Sequence, residues 1–222
     1  MKIIATLLTT ALCFNTPKQP PINYIAFGDS YTICTGTTRV AEQWPTVLTE
    51  HLVGAGINVK LVANPARNGY TTQNLIDKEL PLLKTNNLDF ATLLIGVNDW
   101  VQGVDSTTFK RNFTFIVDEL QHKIANKKNI IIVTIPDFSA TPQGAMYGAG
   151  RNITKGIASF NTIIKTVAAQ KGLTVVDIFA TTQAMKNKKE LIAADELHPS
   201  ALEYSLWEKL IFTQAKQLLG TK

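Results

Sequence analysis

The chain has 222 residues, of which 45% are hydrophobic, and a formal net charge of +5. This length is sufficient for a full hydrophobic core within one domain. The charge comes mainly from scattered lysines, with small clusters at 127–128 and 186–189 and no aromatic residues among them. A nucleic-acid surface is therefore disfavoured, since no recognition motif accompanies the charge.

The N-terminus has the order of a secretory signal peptide. Lys2 precedes an almost uncharged stretch at 3–14, and a proline-rich segment follows at 17–21. The apolar stretch is shorter than the about 20 residues that a stable membrane span needs. We expect residues 1–20 to be a signal peptide with a short linker, and the protein to be exported, either to the periplasm or by secretion.

A slightly extended first strand or helix is the alternative interpretation of this N-terminal stretch. Cys13 raises the question of lipid attachment, but Leu12 stands where a small residue is expected before a lipidated cysteine. Lipoprotein anchoring is therefore disfavoured. Removal of a leader near Cys13 would leave Cys34 as the one cysteine of the mature protein. We expect Cys34 to be a small buried residue rather than a nucleophile.

Five short apolar runs are rich in β-branched residues, as buried parallel strands are. They lie at 22–27, 59–63, 91–95, 130–135 and 173–178. Apolar residues at helical spacing occur over 109–124 and 153–167. The alternation of strands and helices predicts an α/β fold: a three-layer, doubly wound sheet of about five parallel strands with helices on both faces.

Four short motifs contain residues suited to acyl transfer. They are Gly28-Asp29-Ser30, Gly69, Gly96-Val97-Asn98-Asp99 and Asp195-Glu196-Leu197-His198. Ser30, Gly69 and Asn98 each follow a predicted strand, and the carboxyl ends of parallel strands form the edge where ligands bind. The fourth motif precedes a predicted last helix, whose start at 200–203 has the Ser-x-x-Glu pattern of a capping box.

Acyl transfer needs a nucleophile, a base, a group that orients the base, and donors for the oxyanion. Ser30, His198 and Asp195 can supply the first three. The backbone N–H groups of Ser30 and Gly69 and the side-chain amide of Asn98 can supply the oxyanion hole. Each also has an ordinary structural use, with Ser30 as a helix N-cap and Gly69 and Asn98 as turn residues.

Other polar residues near the motifs are interpreted as structural. Asp29 and Asp99 are expected to brace their turns through local hydrogen bonds. His51 and His122 lie in polar helical contexts and are expected at the surface. Three histidines without a Cys/His cluster argue against a metal site, and the Asp/His pair of the fourth motif provides too few ligands for one.

The four motifs, in this order, resemble those of the SGNH (GDSL) hydrolase family of esterases and acylhydrolases. The resemblance runs from about Tyr24 to the C-terminus and includes Ile135-Pro136-Asp137. It implies a flavodoxin-like fold in a single domain over 21–222, a serine esterase that forms an acyl-enzyme on Ser30, and no cofactor. Cys34 is a departure, since many such relatives carry glycine there, and it bears on the width of the pocket.

Four aromatic residues in or near loops at the sheet edge are candidates to line the substrate pocket: Tyr31, Trp100, Phe138 and Tyr147. With Val101 and Met146 they favour apolar acyl esters of lipid or lysophospholipid type. A carbohydrate O-deacetylase of the same fold is the alternative enzyme, and a non-catalytic binding module is the alternative from another class. We expect a small-molecule ester as the binding partner. The sequence does not indicate an oligomeric state.

Overall fold

The computed structural model describes residues 20–84 and 87–220. The signal-peptide prediction for residues 1–20 therefore falls almost entirely outside the described residues, and so does Cys13, where lipid attachment is disfavoured. Within the described ranges, no helix has the length and apolar character that crossing a membrane requires.

Five parallel strands form one sheet, as the sequence predicts. They are β1 (Ile22–Gly28), β2 (Val59–Ala63), β3 (Phe90–Leu94), β4 (Ile130–Val133) and β5 (Thr174–Val176). Their order across the sheet is β2-β1-β3-β4-β5. The chain therefore winds outward from β1 to β2 and then crosses back to β3. Ligands in such sheets bind where the winding reverses, at the carboxyl ends of the strands.

Both β4 and β5 end two residues earlier than the apolar runs predict. Thr134 N still donates to the carbonyl of Val176 at 3.0 Å. The next residue, Ile135, bonds to a side chain instead: its N–H donates to Asn161 Oδ1 and its carbonyl accepts from Asn161 Nδ2, both at 2.8 Å. The amide of Asn161 thus replaces a strand partner, and the chain leaves the sheet.

Helices cover both faces of the sheet. They are α1 (Trp44–Gly54), α2 (Thr72–Lys78), α3 (Val97–Val101), α4 (Ser106–Lys123), α5 (Ile153–Gln170), α6 (Phe179–Thr182) and α7 (Ala201–Gly220). The first and last helices, α1 and α7, pack together, whereas α4 packs against both α2 and α5. The helical patterns predicted over 109–124 and 153–167 coincide with α4 and α5. The three-layer prediction is therefore confirmed.

The hydrophobic core is centred on the inner strands, whose side chains are covered by helices on each face of the sheet. Residues 24–27 of β1 and 90–94 of β3 are fully buried. The polar groups within these segments, Tyr24 and Thr92, share a hydrogen bond of 2.8 Å between their hydroxyls. This contact removes the cost of burying two hydroxyl groups without partners.

The capping box predicted at the start of α7 forms only in part. Ser200 Oγ accepts the backbone N–H of Glu203 at 3.5 Å, as the pattern requires. The Glu203 carboxylate does not return to the helix start, because it is buried and accepts the indole N–H of Trp207 at 2.7 Å. A buried indole N–H requires a hydrogen-bond acceptor, and Glu203 supplies it instead of completing the capping box.

At Gly28 the backbone of β1 passes closely beside its neighbours. A Cβ at this position would lie 2.2 Å from the carbonyl oxygen of Leu94 and 2.2 Å from Thr32 Oγ1. The N–H of Gly28 donates to Glu79 Oε2 at 3.1 Å, because the pairing of β1 with β2 has ended three residues earlier. The turn that follows β1 therefore starts from a tightly enclosed backbone.

Gly28→Ala is expected to destabilise the fold. Overpacking of a core costs about 1–3 kcal/mol, and one colliding atom here is a backbone carbonyl, so we expect the upper end of this range. Gly54→Ala is the matched control, since a Cβ there meets nothing within 4 Å. Urea unfolding of the two variants measures the difference. Equal midpoints would contradict the close approach at Gly28.

Candidate active site

The turn after β1 presents Ser30 at the carboxyl edge of the sheet. Asp29 Oδ1 accepts the N–H of Tyr31 at 3.0 Å, and the carbonyl of Asp29 accepts the N–H groups of Thr32 and Ile33 at 2.9 and 3.1 Å. The expectation that Asp29 braces this turn is confirmed. Turns rather than a helix occupy residues 30–34, so Ser30 is not the N-cap of a helix.

The loop before α7 holds an aspartate and a histidine in direct contact. His198 Nδ1 lies 2.6 Å from Asp195 Oδ2. Asp195 Oδ1 accepts the N–H groups of Leu197 and His198 at 3.0 and 2.9 Å. Glu196 makes this tight turn possible by adopting a left-handed conformation, with φ of +59°. The imidazole is thus fixed with Nδ1 toward the carboxylate and Nε2 left for other contacts.

Hydrogen bonds keep Asp195 ionised. Burial opposes ionisation, but the N–H groups of His198 and Leu197 and the imidazole outweigh it and hold the pKa of Asp195 below its ordinary value. A carboxylate in this state can stabilise an imidazolium on the neighbouring ring. The His198 ring is also held on one side by Tyr31, whose ring meets it edge-on with centroids 5.8 Å apart.

One cavity of about 70 Å³ joins these elements. Its lining residues are Ser30, Tyr31, Val97, Asn98, Val101, Phe138, Tyr147, Leu197 and His198. The predicted nucleophile, base and amide donor therefore meet at a single site, and three of the four predicted aromatic residues line it. No hydrogen bond joins Ser30 to His198 among the described residues; contacts of this kind often tighten only in the substrate complex.

Trp100 is not among the residues that line the cavity, so the prediction for this residue is wrong. Its side chain is buried one layer behind, where its ring meets Phe138 with centroids 5.9 Å apart. Sequence reasoning also did not name Val97 and Leu197 as lining residues. Val97 precedes Asn98 and Leu197 precedes His198 in the sequence. An apolar residue next to a predicted site residue is a reasonable candidate for the lining, and this criterion would have identified both.

Asn98 lies in α3 and contacts the loop that contains Gly69. Its Nδ2 donates to the carbonyl of Tyr70 at 2.9 Å. An amide carries two N–H donors, so one remains for a ligand. Gly69 is exposed and has φ of +77°, a conformation that favours glycine. No atom lies close enough to exclude a Cβ, so backbone conformation rather than close approach explains this glycine.

Asp99 has a different role from the one predicted. It was expected to brace its own turn, but Oδ2 accepts the backbone N–H of Thr72 at 2.8 Å and Oδ1 accepts the Thr72 hydroxyl. Thr72 is the first residue of α2, where backbone N–H groups lack helical partners. Asp99 and Asn98 thus both tie α3 to the segment 70–72. They fix the loop after β2 relative to the loop after β3.

Two buried carboxyl groups lie behind the nucleophile turn. Burial raises the pKa of Asp29 to about 8 and that of Glu79 to about 8. Asp29 Oδ2 and Glu79 Oε1 have no hydrogen-bond partner among the described residues. The fold therefore favours the protonated form of both side chains, while Glu79 Oε2 still accepts the N–H of Gly28.

Cys34 is buried in the main core, as predicted. Trp44 N donates to its Sγ at 3.2 Å. The φ of Cys34 is +58°, in the left-handed region that glycine adopts without strain. Cys34 is not among the residues that line the cavity, so its side chain does not set the pocket width directly.

The remaining histidines lie at the surface, as the sequence predicts. His51 is half-exposed, with Nδ1 3.0 Å from Glu208 Oε1, and His122 is exposed. In the part of the chain that the structure describes, no group of three or more His, Cys, Asp or Glu side chains is arranged to hold a metal ion.

The chain is similar to a family model and to several solved structures. The model of the GDSL-like lipase/acylhydrolase family matches residues 26–206. TesA superposes with a TM-score of 0.71 at 21% identity, over 89% of this chain and 99% of that one. A lipase/acylhydrolase from Enterococcus faecalis gives 0.70 at 23% identity, over 90% and 98%. An acetylxylan esterase from Geobacillus stearothermophilus gives 0.66 at 16% identity, over 87% and 93%. No curated protein sequence matches.

Glu79→Gln is expected to reduce the pH dependence of stability. A carboxyl whose folded pKa is raised stabilises the fold at low pH and loses that contribution as pH rises toward about 8. Glutamine keeps an acceptor for Gly28 N–H but cannot titrate. Between pH 5 and pH 8 the unfolding free energy should fall less in this variant than in the wild type, by at least about 1 kcal/mol. This difference is smaller than the free energy that corresponds to a shift of one pKa unit.

Urea unfolding at the two pH values makes this measurement. Glu50→Gln is the control, because it makes the same substitution at an exposed position. An identical pH dependence in the wild type and in Glu79→Gln would show that Glu79 is not held protonated by the fold.

Proposed function

Because the chain belongs to the GDSL-like lipase/acylhydrolase family and is an ester hydrolase, we propose that it cleaves esters of short apolar acyl groups through an acyl-enzyme on Ser30. The observation that carries the proposal is the meeting of Ser30, Asn98 and His198 in one cavity, with His198 bound to Asp195 at 2.6 Å. This arrangement contains a nucleophile, a base, an orienting carboxylate and an amide donor.

In the proposed mechanism, Ser30 Oγ attacks the acyl carbon while His198 Nε2 takes the hydroxyl proton. His198 then returns this proton to the leaving alcohol oxygen as the C–O bond breaks, which leaves the acyl group on Ser30. A water molecule attacks the acyl-enzyme in the same way, again with His198 as base, and releases the carboxylic acid. Asp195 holds the imidazole and stabilises its charged form in both steps.

The oxyanion of each tetrahedral intermediate is assigned three donors: the backbone N–H groups of Ser30 and Gly69, and the second N–H of the Asn98 amide. The contact of Asn98 with the carbonyl of Tyr70 fixes the amide plane before the substrate arrives. Such preorganisation is effective because the donors need not reorient during the reaction. Asp99 supports it by tying α3 to the start of α2.

The acyl group is assigned to the apolar part of the cavity. Val97, Val101, Phe138, Tyr147 and Leu197 line that part. The volume of about 70 Å³ is well below the roughly 300–1,000 Å³ of typical ligand pockets, which supports a short acyl group. The exposed side chain of Met146 extends the apolar surface beside Tyr147.

A carbohydrate O-deacetylase is the second candidate, because an acetyl group also fits a small acyl pocket. The two functions differ in the alcohol rather than in the acyl group. The apolar side chains around the cavity, together with exposed Met146 and Tyr147, favour an apolar ester over a sugar. A binding module without catalysis is disfavoured, since it would have no physical need for the complete set of catalytic side chains.

Ser30→Ala is expected to abolish ester hydrolysis while the fold remains intact. The wild type should hydrolyse p-nitrophenyl acetate and butyrate, and loss of a triad nucleophile lowers turnover by up to about a million-fold. Thr35→Ala is a control in the same loop, since its side chain contacts Asn68 outside the cavity. Substantial turnover by folded Ser30→Ala protein would remove Ser30 from the mechanism. Preference for an acetylated oligosaccharide over apolar esters would favour the deacetylase instead.

Asn98→Ala is expected to lower kcat by about a hundred- to a thousand-fold, the usual effect of removing one oxyanion donor. KM should change far less, because the charge that the amide stabilises develops in the transition state. The melting temperature is measured on the same preparation, since the variant also loses the contact with Tyr70. A destabilised variant with normal kcat would assign Asn98 a purely structural role.

A further inference from the structure

The side chain of Arg151 binds three backbone carbonyls in two segments around the acyl pocket. Its Nη1 donates to the carbonyl of Trp100 at 2.7 Å, its Nη2 to the carbonyl of Val101 at 2.9 Å, and its Nε to the carbonyl of Gly148 at 3.1 Å. The guanidinium carbon also lies 4.1 Å from the centroid of the Trp100 ring. One planar cation therefore binds three carbonyls and one aromatic face.

Each residue that Arg151 contacts either lines the cavity or lies beside a residue that does. Val101 lines the cavity, and Gly148 follows Tyr147, which also lines it. The Trp100 ring supports Phe138, a third lining residue, through an edge contact of 5.9 Å between centroids. The wall formed by Val101, Phe138 and Tyr147, called here the acyl wall, thus has a common attachment at Arg151.

The packing behind the acyl wall leaves Trp100 little freedom to move. Gly156 of α5 faces the indole, and a Cβ there would lie 2.0 Å from Trp100 Nε1. Glycine within a helix costs about 0.5–1 kcal/mol relative to alanine. Its presence at this position lets α5 approach the ring. Trp100 is therefore held between α5 and Arg151, with Phe138 at its edge.

Two of the three carbonyls that Arg151 binds lie at a helix end, where additional hydrogen-bond donors are favourable. Trp100 and Val101 are the last two residues of α3, where helical carbonyls lack partners within the helix. The carbonyl of Trp100 also accepts Gly103 N at 3.1 Å. A cation is favourable at a helix C-terminus. Only arginine among the cationic side chains presents several donors in a fixed plane and stacks on an aromatic ring with the same group.

We propose that Arg151 is a positioning residue that determines acyl-chain specificity, because it holds the acyl wall close to the nucleophile and keeps the pocket small. This inference rests on the proposed esterase function. Arg151 does not touch the reacting atoms. It acts through Val101, Phe138 and Tyr147, and its removal should let the wall relax outward and admit longer acyl chains.

Arg151→Lys and Arg151→Gln test this inference in the full-length protein. Lysine keeps the charge but cannot bind three carbonyls in one plane. The measurement is kcat/KM for p-nitrophenyl acetate and p-nitrophenyl octanoate. We expect the octanoate-to-acetate ratio to rise about tenfold in both variants, within the range by which a change in fit of one methylene alters specificity. Arg111→Lys is the matched control, since Arg111 lies on α4 and bonds weakly to its neighbour Asn112 at 3.4 Å.

The outcomes separate the two proposals. A wild type that hydrolyses no ester overturns the esterase proposal and the specificity role together. A wild type that hydrolyses esters, with the same ratio in the Arg151 variants, overturns the specificity role alone. Equal losses of kcat/KM on both esters with a lowered melting temperature would show that Arg151 only stabilises the fold. A raised ratio in Arg151→Lys, with Arg111→Lys unchanged, supports the inference whatever the change in melting temperature.

Discussion

The site depends on how backbone polar groups are satisfied where the parallel strands end. Beyond the last ladder hydrogen bond, each strand leaves N–H or C=O groups that cannot be buried without partners. Glu79 accepts the N–H of Gly28, and Asn161 binds both backbone groups of Ile135. Side chains from distant segments therefore end the strands. The same contacts fix the directions in which the following loops leave the sheet.

The loops after β2 and β3 are coupled by a second set of such contacts. Asn98 donates to the carbonyl of Tyr70, and Asp99 accepts from the backbone N–H and the hydroxyl of Thr72. Asn98 thus serves two purposes, since it is also the proposed oxyanion donor. A residue that both anchors a loop and faces the reaction must be placed accurately, because a small displacement of a donor weakens its effect on the transition state.

The sequence predicted the sheet and the common edge of Ser30 and Asn98 because both depend on local patterns. His198 follows no strand, so its expected place beside them rested on the resemblance of its motif. Buried parallel strands are continuous apolar runs, and residues just beyond them meet at one edge whatever the packing of the helices. The errors concern contacts that depend on how the elements pack together. Whether Trp100 lines the cavity or supports Phe138 depends on the approach of α5 at Gly156. Likewise, the partner of Asp99 lies 27 residues away, and the partner of Glu203 is an indole in the core.

The proposed catalytic role of Asn98 and the proposed specificity role of Arg151 involve the two ends of one short helix. Near the start of α3, Asn98 faces the nucleophile turn and the loop after β2. The proposed chemistry requires that the donors in this region keep fixed positions. At the end of α3, Trp100 and Val101 contact Arg151 and the acyl wall. The first set of contacts is polar and partly or fully buried, whereas Arg151 lies at the surface. If Arg151 holds the acyl wall as proposed, substitutions of this exposed residue alter the pocket while the buried Asp99 keeps its contacts with Thr72, so the substrate range can change without a change in the proposed catalytic residues.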